Sequence, residues 1–143
     1  MAIWRNHYTL AELEEHARNT MVEWLGIKLI EIGDDYLKAS MPVDHRTHQP
    51  LGMLHGGASV VLAETVGSIA ANLMALPGHY CVGLEINANH LRSVRKGFVY
   101  AVARPLHVGR TTQVWDIRIS DEHDKPVCVS RLTMAVVKAP PAH

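Results

Sequence analysis

Between Gly56 and Gly78 the chain carries one ionisable side chain, Glu64. From Ala58 to Ala75 every other residue is apolar or small and polar, and Pro77-Gly78 closes the stretch. An apolar run of this length reads as a single helix that must be covered on most of its sides. The stretch is long enough to raise the question of a membrane span. It also holds Ser59, Thr65, Ser68 and Asn72, lacks a flanking positive cluster and sits among amphipathic strands, so we expect no membrane partner. The cover must come from the remainder of the chain.

That remainder reads mostly as strands. Residues 27–32 are rich in Ile and Leu, and residues 36–43 alternate, with Leu37, Ala39, Met41 and Val43 on one face. Gly33-Asp34-Asp35 is the turn between them. Residues 81–92 alternate with Val82, Leu84, Ile86 and Ala88 together. Residues 98–107 form a further strand, 112–120 align Trp115, Ile117 and Ile119, and 126–137 follow a polar turn at Asp121–Lys125. Ahead of the strands, Thr9 and Glu12 form a capping box for a first helix. Thr20 and Glu23 repeat the signal for a short second one, and Gly26 is placed to end it. One apolar helix plus one long antiparallel series that coils predicts an α+β domain with the helix wrapped by the sheet.

Composition narrows the partners. The 143 residues suit one domain, 1–143, with Lys138–His143 expected to be a flexible tail. Fourteen basic residues balance fourteen acidic ones, which argues against nucleic acid as a partner. The N-terminus has no apolar core for a signal peptide, so a cytoplasmic location is expected. Cys81 and Cys128 are too few for a thiolate zinc site and read as small buried hydrophobes. Ten histidines include His45 and His48 near His55, but the supporting carboxylate spacing is absent and the two sit in a loop, so no metal and no cofactor are expected.

Two features carry chemistry. Glu64 lies on the helical stripe Gly57, Val60/Val61, Glu64, Gly67/Ser68, Ala71. A carboxylate on a buried helix is costly unless paired or protonated, so it reads as catalytic or ligand-binding, against the bland alternative of a helix side at the surface. His55-Gly56-Gly57 presents backbone N–H groups without bulky side chains at the positive end of the helix, a seat for an anion or a developing oxyanion, or simply a tight turn. Gly56 and Glu64 are eight residues apart, roughly 12 Å along the axis. One small reacting group cannot touch both in one chain, which points to a site shared across a two-fold dimer.

Gln49-Pro50-Leu51-Gly52-Met53-Leu54-His55-Gly56-Gly57-Ala58, followed by Leu62-Ala63-Glu64-Thr65-Val66-Gly67-Ser68, resembles the hotdog-fold acyl-CoA thioesterases. The group is the one that holds 1,4-dihydroxy-2-naphthoyl-CoA hydrolase, the enterobactin-pathway proofreading thioesterase and the Glu-dependent 4-hydroxybenzoyl-CoA thioesterases. Met41–Asp44, Val82–His90 and Pro105–Gly109 look like the same family, so the likeness spans most of the chain. It implies a hotdog fold in homodimers that pair into tetramers. It implies hydrolysis of aryl or medium-chain acyl-CoA, or of an acylated carrier protein, with Glu64 as nucleophile or general base. Gly56 N–H would polarise the thioester oxygen, Gln49 and His55 would orient the thioester or the leaving thiolate, and Ser68 would hold the carboxylate or a water. Gly83, His90-Leu91-Arg92-Ser93 and His107-Val108-Gly109-Arg110 look like the family's coenzyme A contacts. For Gly109-Arg110 a plain hairpin turn is the alternative, as is a solvated strand end for Arg92 and Arg95. Leu51 replaces an aromatic common in relatives, and Asn72-Leu73-Met74 also departs from them, which leaves the acyl preference open. Other functions on the same fold would be a hydratase or dehydratase using His55 and Glu64, or an acyl-CoA binder without turnover.

Overall fold

The computed structural model describes residues 1–140. Two short helices, α1 (Leu10–His16) and α2 (Met21–Trp24), precede β1 (Lys28–Ile32) and β2 (Leu37–Pro42). Then come the long helix α3 (Gly56–Leu73) and four strands: β3 (His79–His90), β4 (Phe98–Val108), β5 (Thr112–Ser120) and β6 (Pro126–Lys138). The six strands form one antiparallel sheet in the order β1-β2-β4-β5-β6-β3. α3 packs against β2, β3, β4, β5 and β6, so the sheet curls around it.

The packing follows from side-chain size. Leu62, Ala63, Val66, Ala70 and Ala71 of α3 are fully buried against Trp115, Ile117, Leu132 and Met134 of β5 and β6. At Gly67 a Cβ would stand 2.6 Å from Leu132 Cδ2 and 3.2 Å from Ile117 Cδ1, so glycine sets how closely helix and sheet approach. Gln113, also fully buried, donates from Nε2 to Ala71 O at 3.2 Å and accepts from Trp115 Nε1 at 2.8 Å. It thereby adds a second donor to a carbonyl of the last helical turn, which also accepts from Met74 N–H at 3.1 Å. The N-terminal segment serves the same end. The N–H groups of Arg5 and Asn6 donate to Leu73 O, Arg5 Nη1 to Met74 O, and Asn6 Nδ2 to Asn72 O and Ala75 O. Trp4 stacks on Trp115 at 6.1 Å between ring centroids. The positive charge of Arg5 thus sits where the helix dipole is negative.

Three expectations need correction. Thr20 makes no side-chain cap on α2. Its hydroxyl donates back to Ala17 O at 2.6 Å, and the Glu23 carboxylate reaches around to Asn19 N–H at 2.7 Å instead. The alternation of Val82, Leu84, Ile86 and Ala88 does not lie on one face of β3. A bulge between Gly83 and Glu85 inserts Leu84 opposite no partner, and one extra residue inverts the parity of the strand. Cys81 and Gly83 therefore face the helix before the bulge, Ile86 and Ala88 pack inward after it, and Val82 and Leu84 are exposed. Lys138 and Ala139, expected in a flexible tail, are held instead, because Lys138 pairs with His79 and Ala139 N–H donates to Gly78 O. Residues 141–143 of that expected tail lie outside the described residues. No helix among the described residues is long and apolar enough to cross a membrane.

The close approach at Gly67 gives a direct test. Gly67→Leu should lower stability by about 1–3 kcal/mol through overpacking, read as a shifted urea midpoint. An unchanged midpoint would contradict the contact.

Candidate active site

Glu64 stands midway along α3, on the face that the sheet leaves half-covered together with Val60, Val61, Thr65, Ser68 and Asn72. A Cβ on Gly83 would lie 2.5 Å from Glu64 Oε2, so the carboxylate rests directly on the strand backbone beside the bulge. Among the described residues the carboxylate has no hydrogen bond and no ion pair. Ser68, one turn on, lines the same cavity of about 690 Å³. Its hydroxyl faces Met134 Sδ at 3.8 Å, so in this chain it does not hold the carboxylate. The cavity continues along Ile69, Asn72 and Leu76 to the N-terminal segment, which lines it with Asn6, Tyr8 and His16. Motif spacing left Thr65 and the N-terminal residues out of the candidate site. Thr65 carried a signal as the neighbour of Glu64, whereas Tyr8 and His16 carried none.

The second cluster forms at the helix N-terminus. Its loop is pinned by backbone. Thr47, nearly fully buried, donates through Oγ1 to Pro42 O at 2.8 Å, and its own carbonyl accepts from His55 N–H at 2.8 Å. Gln49 N–H donates to Met53 O, and Gln49 Oε1 accepts from Leu51 N–H. The amide NH2 of Gln49 has no partner among the described residues. His55 caps the helix, with Nδ1 accepting from Gly57 N–H at 2.8 Å. That bond leaves the neutral ring its proton on Nε2. Gly56 N–H donates to no group among the described residues, at the positive end of an eighteen-residue helix. A Cβ at Gly56 would lie 2.9 Å from His90 Nε2, so the His90 ring packs over the glycine. Gln49, Gly56 and Ser59 line one pocket of about 400 Å³ with His90, Leu91, Arg92 and Ser93.

The two candidate coenzyme A segments do not meet within one chain. His90 pairs with Cys128 at one end of β6, while Thr112, just past the Gly109 turn, pairs with Ala135 at the other. Seven residues of strand put them roughly 23 Å apart. Gly109 N–H donates to Thr112 O at 2.9 Å, which is the hairpin turn, with His107, Val108 and Arg110 flanking it. His48 binds Arg95 O through Nε2 at 2.8 Å, and no metal-holding cluster occurs among the described residues. Cys81 and Cys128 are buried, and burial pushes both thiols up from their ordinary pKa.

Residues 51–128 match the family model described as Thioesterase superfamily. The chain belongs to that superfamily. It is a thioester hydrolase of the hotdog fold, and it has relatives of nearly equal length. A proofreading thioesterase of Cronobacter turicensis is 52% identical over 135 residues, covering 94% of this chain and 98% of its own. A thioesterase of Pseudomonas aeruginosa, solved as its Q49A variant, is 55% identical with a TM-score of 0.93, over 96% of this chain and 99% of that one. A thioesterase of Staphylococcus aureus, solved as a Gln-to-Ala variant, is 38% identical with a TM-score of 0.77, over 81% and 97% of the two chains. The same protein was solved as a Glu-to-Ala variant, and the two substituted positions are fifteen residues apart.

The loop that carries Gln49 is anchored by an ion pair with its own pH signature. Arg46 donates from Nη2 to Asp44 Oδ2 at 2.7 Å, and this guanidinium bond holds the Asp44 carboxyl down at about 2. A folded-state pKa below the ordinary carboxylate value of about 3.9 adds stability that is complete above that value and lost as pH falls towards 2. Asp44 is partly solvated, so the contribution is under about 1 kcal/mol. The Tm difference between wild type and Asp44→Asn should therefore be constant above pH 5 and shrink below pH 4. A difference that grows on acidification would refute this role.

Proposed function

We propose that this enzyme hydrolyses aryl or medium-chain acyl-CoA thioesters, or the same acyl groups on a carrier protein, in sites built by two copies of the chain. The observation that carries the reading is the Glu64 carboxylate, without a partner among the described residues and set on Gly83 at the wall of a cavity large enough for an acyl group. The spacing of Gln49 and Glu64, fifteen residues, equals that of the positions substituted in the Staphylococcus aureus relative, which supports assigning both to the site.

The chemistry follows from the groups present. Gly56 N–H, aided by the helix dipole, donates to the thioester oxygen and stabilises the oxyanion as it forms. Gln49 NH2 and His55 Nε2–H orient the thioester or meet the sulfur. Glu64 either attacks the carbonyl carbon itself, giving an anhydride that water then opens, or takes a proton from water as its oxygen bonds to that carbon. The tetrahedral centre collapses, the C–S bond breaks and coenzyme A leaves as a thiolate that picks up a proton. Ser68 assists by holding the water.

Gly56 and Glu64 line separate cavities, in keeping with roughly 12 Å between them on one helix. The partner's helix N-terminus must therefore come to Glu64. The sheet supplies the means. β3 is a twelve-residue edge strand with an unpaired side, and Tyr80, Val82 and Leu84 on it are exposed. A long apolar edge of this kind calls for a cover, and β3 of a second copy pairs with it without new chemistry. The same pairing would bring His90–Ser93 of one copy and His107–Arg110 of the other to a shared coenzyme A groove, and two such dimers would give a tetramer.

Thiol release from benzoyl-, 1-hydroxy-2-naphthoyl-, hexanoyl- and lauroyl-CoA tests the reading. We expect turnover by wild type and a loss of at least about two orders of magnitude in kcat for Glu64→Ala. Full activity of Glu64→Ala would remove the carboxylate from the mechanism. Hydration of an unsaturated acyl-CoA without thiol release would favour a hydratase, and bound ligand without any turnover a binder.

A further inference from the structure

Besides Pro77, Gly78, His79 and Tyr80 at the start of β3, the cavity beside Glu64 has two walls of different character. Past Ser68 the wall formed by α3 and the turn after it is apolar, with Ile69, Leu73 and Leu76, and the amides of Asn72 and Asn6 there are already engaged. Asn72 accepts from Cys81 N–H at 2.8 Å and donates to Ser68 O at 2.8 Å, while Asn6 donates to the end of the helix. The opposite wall is the N-terminal segment, which brings Tyr8 and His16 into the same cavity. Their rings meet edge to face, 5.8 Å between centroids with 67° between planes, across the turns of α1. Neither the Tyr8 hydroxyl nor the His16 ring has a hydrogen-bond partner among the described residues. Both side chains are exposed, so the core does not need them in this geometry.

We propose that the Tyr8–His16 ring pair is the acyl-selecting element of this cavity, giving aromatic acyl groups preference over aliphatic ones of similar size. The inference rests on the reading of the cavity as the acyl site. Its physical basis is the ring quadrupole. An aryl group entering between an aliphatic wall and two aromatic rings gains edge-to-face contact that a flexible alkyl chain does not match, and it loses less rotational freedom on binding. The dispersion contact available to both groups along Ile69, Leu73 and Leu76 does not discriminate. The lever is therefore at the N-terminal segment and not at the carboxylate.

The test is equilibrium binding of two non-hydrolysable thioethers, S-phenacyl-CoA and S-hexyl-CoA, measured by titration calorimetry on the full-length protein. Tyr8→Leu and His16→Leu keep bulk and remove the ring. Each should raise the Kd of the phenacyl ligand about three- to tenfold and leave that of the hexyl ligand unchanged. Tyr8→Phe, which keeps the ring, should retain the wild-type ratio. Equal shifts for both ligands, or no shift for either, would overturn the proposal. Thiol release from benzoyl-CoA by the same proteins separates the two levels: selective binding without cleavage refutes the hydrolytic reading and leaves the selectivity standing. Failure of wild type to bind either thioether overturns both.

Discussion

Everything in this molecule hangs on how closely α3 can approach the sheet. The contact face of the helix sets the small residues Ala63, Gly67, Ala70 and Ala71 beside Leu62 and Val66, against large ones on β5 and β6. That pairing seals one side of an apolar helix and leaves the other half-covered. The half-covered side holds the sole carboxylate of the helix. A thicker contact face would lift α3 off the sheet and withdraw Glu64 from Gly83, so core packing and site geometry are one constraint. The helix ends obey the same logic. Its last carbonyls are satisfied by Gln113, Arg5 and Asn6, while the Gly56 N–H at its start has no partner among the described residues. The structure saturates the end it does not use.

The bulge at Leu84 is the second consequence. It sits beside Gly83, where the backbone must pass close under the carboxylate, and it turns Val82 and Leu84 outward. A strand that would otherwise bury its apolar residues on its own helix thus presents them along a free edge. One inserted residue lies beside the close approach of Gly83 to Glu64 and leaves Val82 and Leu84 on the outside of the strand.

Much of this was legible in the residues. Leu37, Ala39, Met41 and Val43, and Trp115, Ile117 and Ile119, alternate because their strands are regular and face the helix on one side only. The helix was marked by its composition and its terminators. Glu64 stood out because nothing else between Gly56 and Gly78 ionises. What stayed hidden has a physical reason in each case. A bulge changes parity without changing composition, so β3 read as a clean alternation. Thr20 fits a cap pattern, but its hydroxyl donates back to Ala17 O and makes no bond to the first N–H groups of α2. The N-terminal segment binds α3 through backbone carbonyls, which no pattern of side chains announces, and so Tyr8 and His16 arrive in the cavity unforeseen.

The central claim is that each site draws Glu64 from one copy and Gln49 and Gly56 from the other. Co-expression of Glu64→Ala with Gln49→Ala, each expected to be inactive alone, tests it by subunit complementation. In a shared site the mixed dimer regains one intact pairing, and random assortment should restore about one quarter of wild-type thiol release. No recovery on mixing, with mixed dimers isolated by two affinity tags, would place the whole site within one chain and contradict the account.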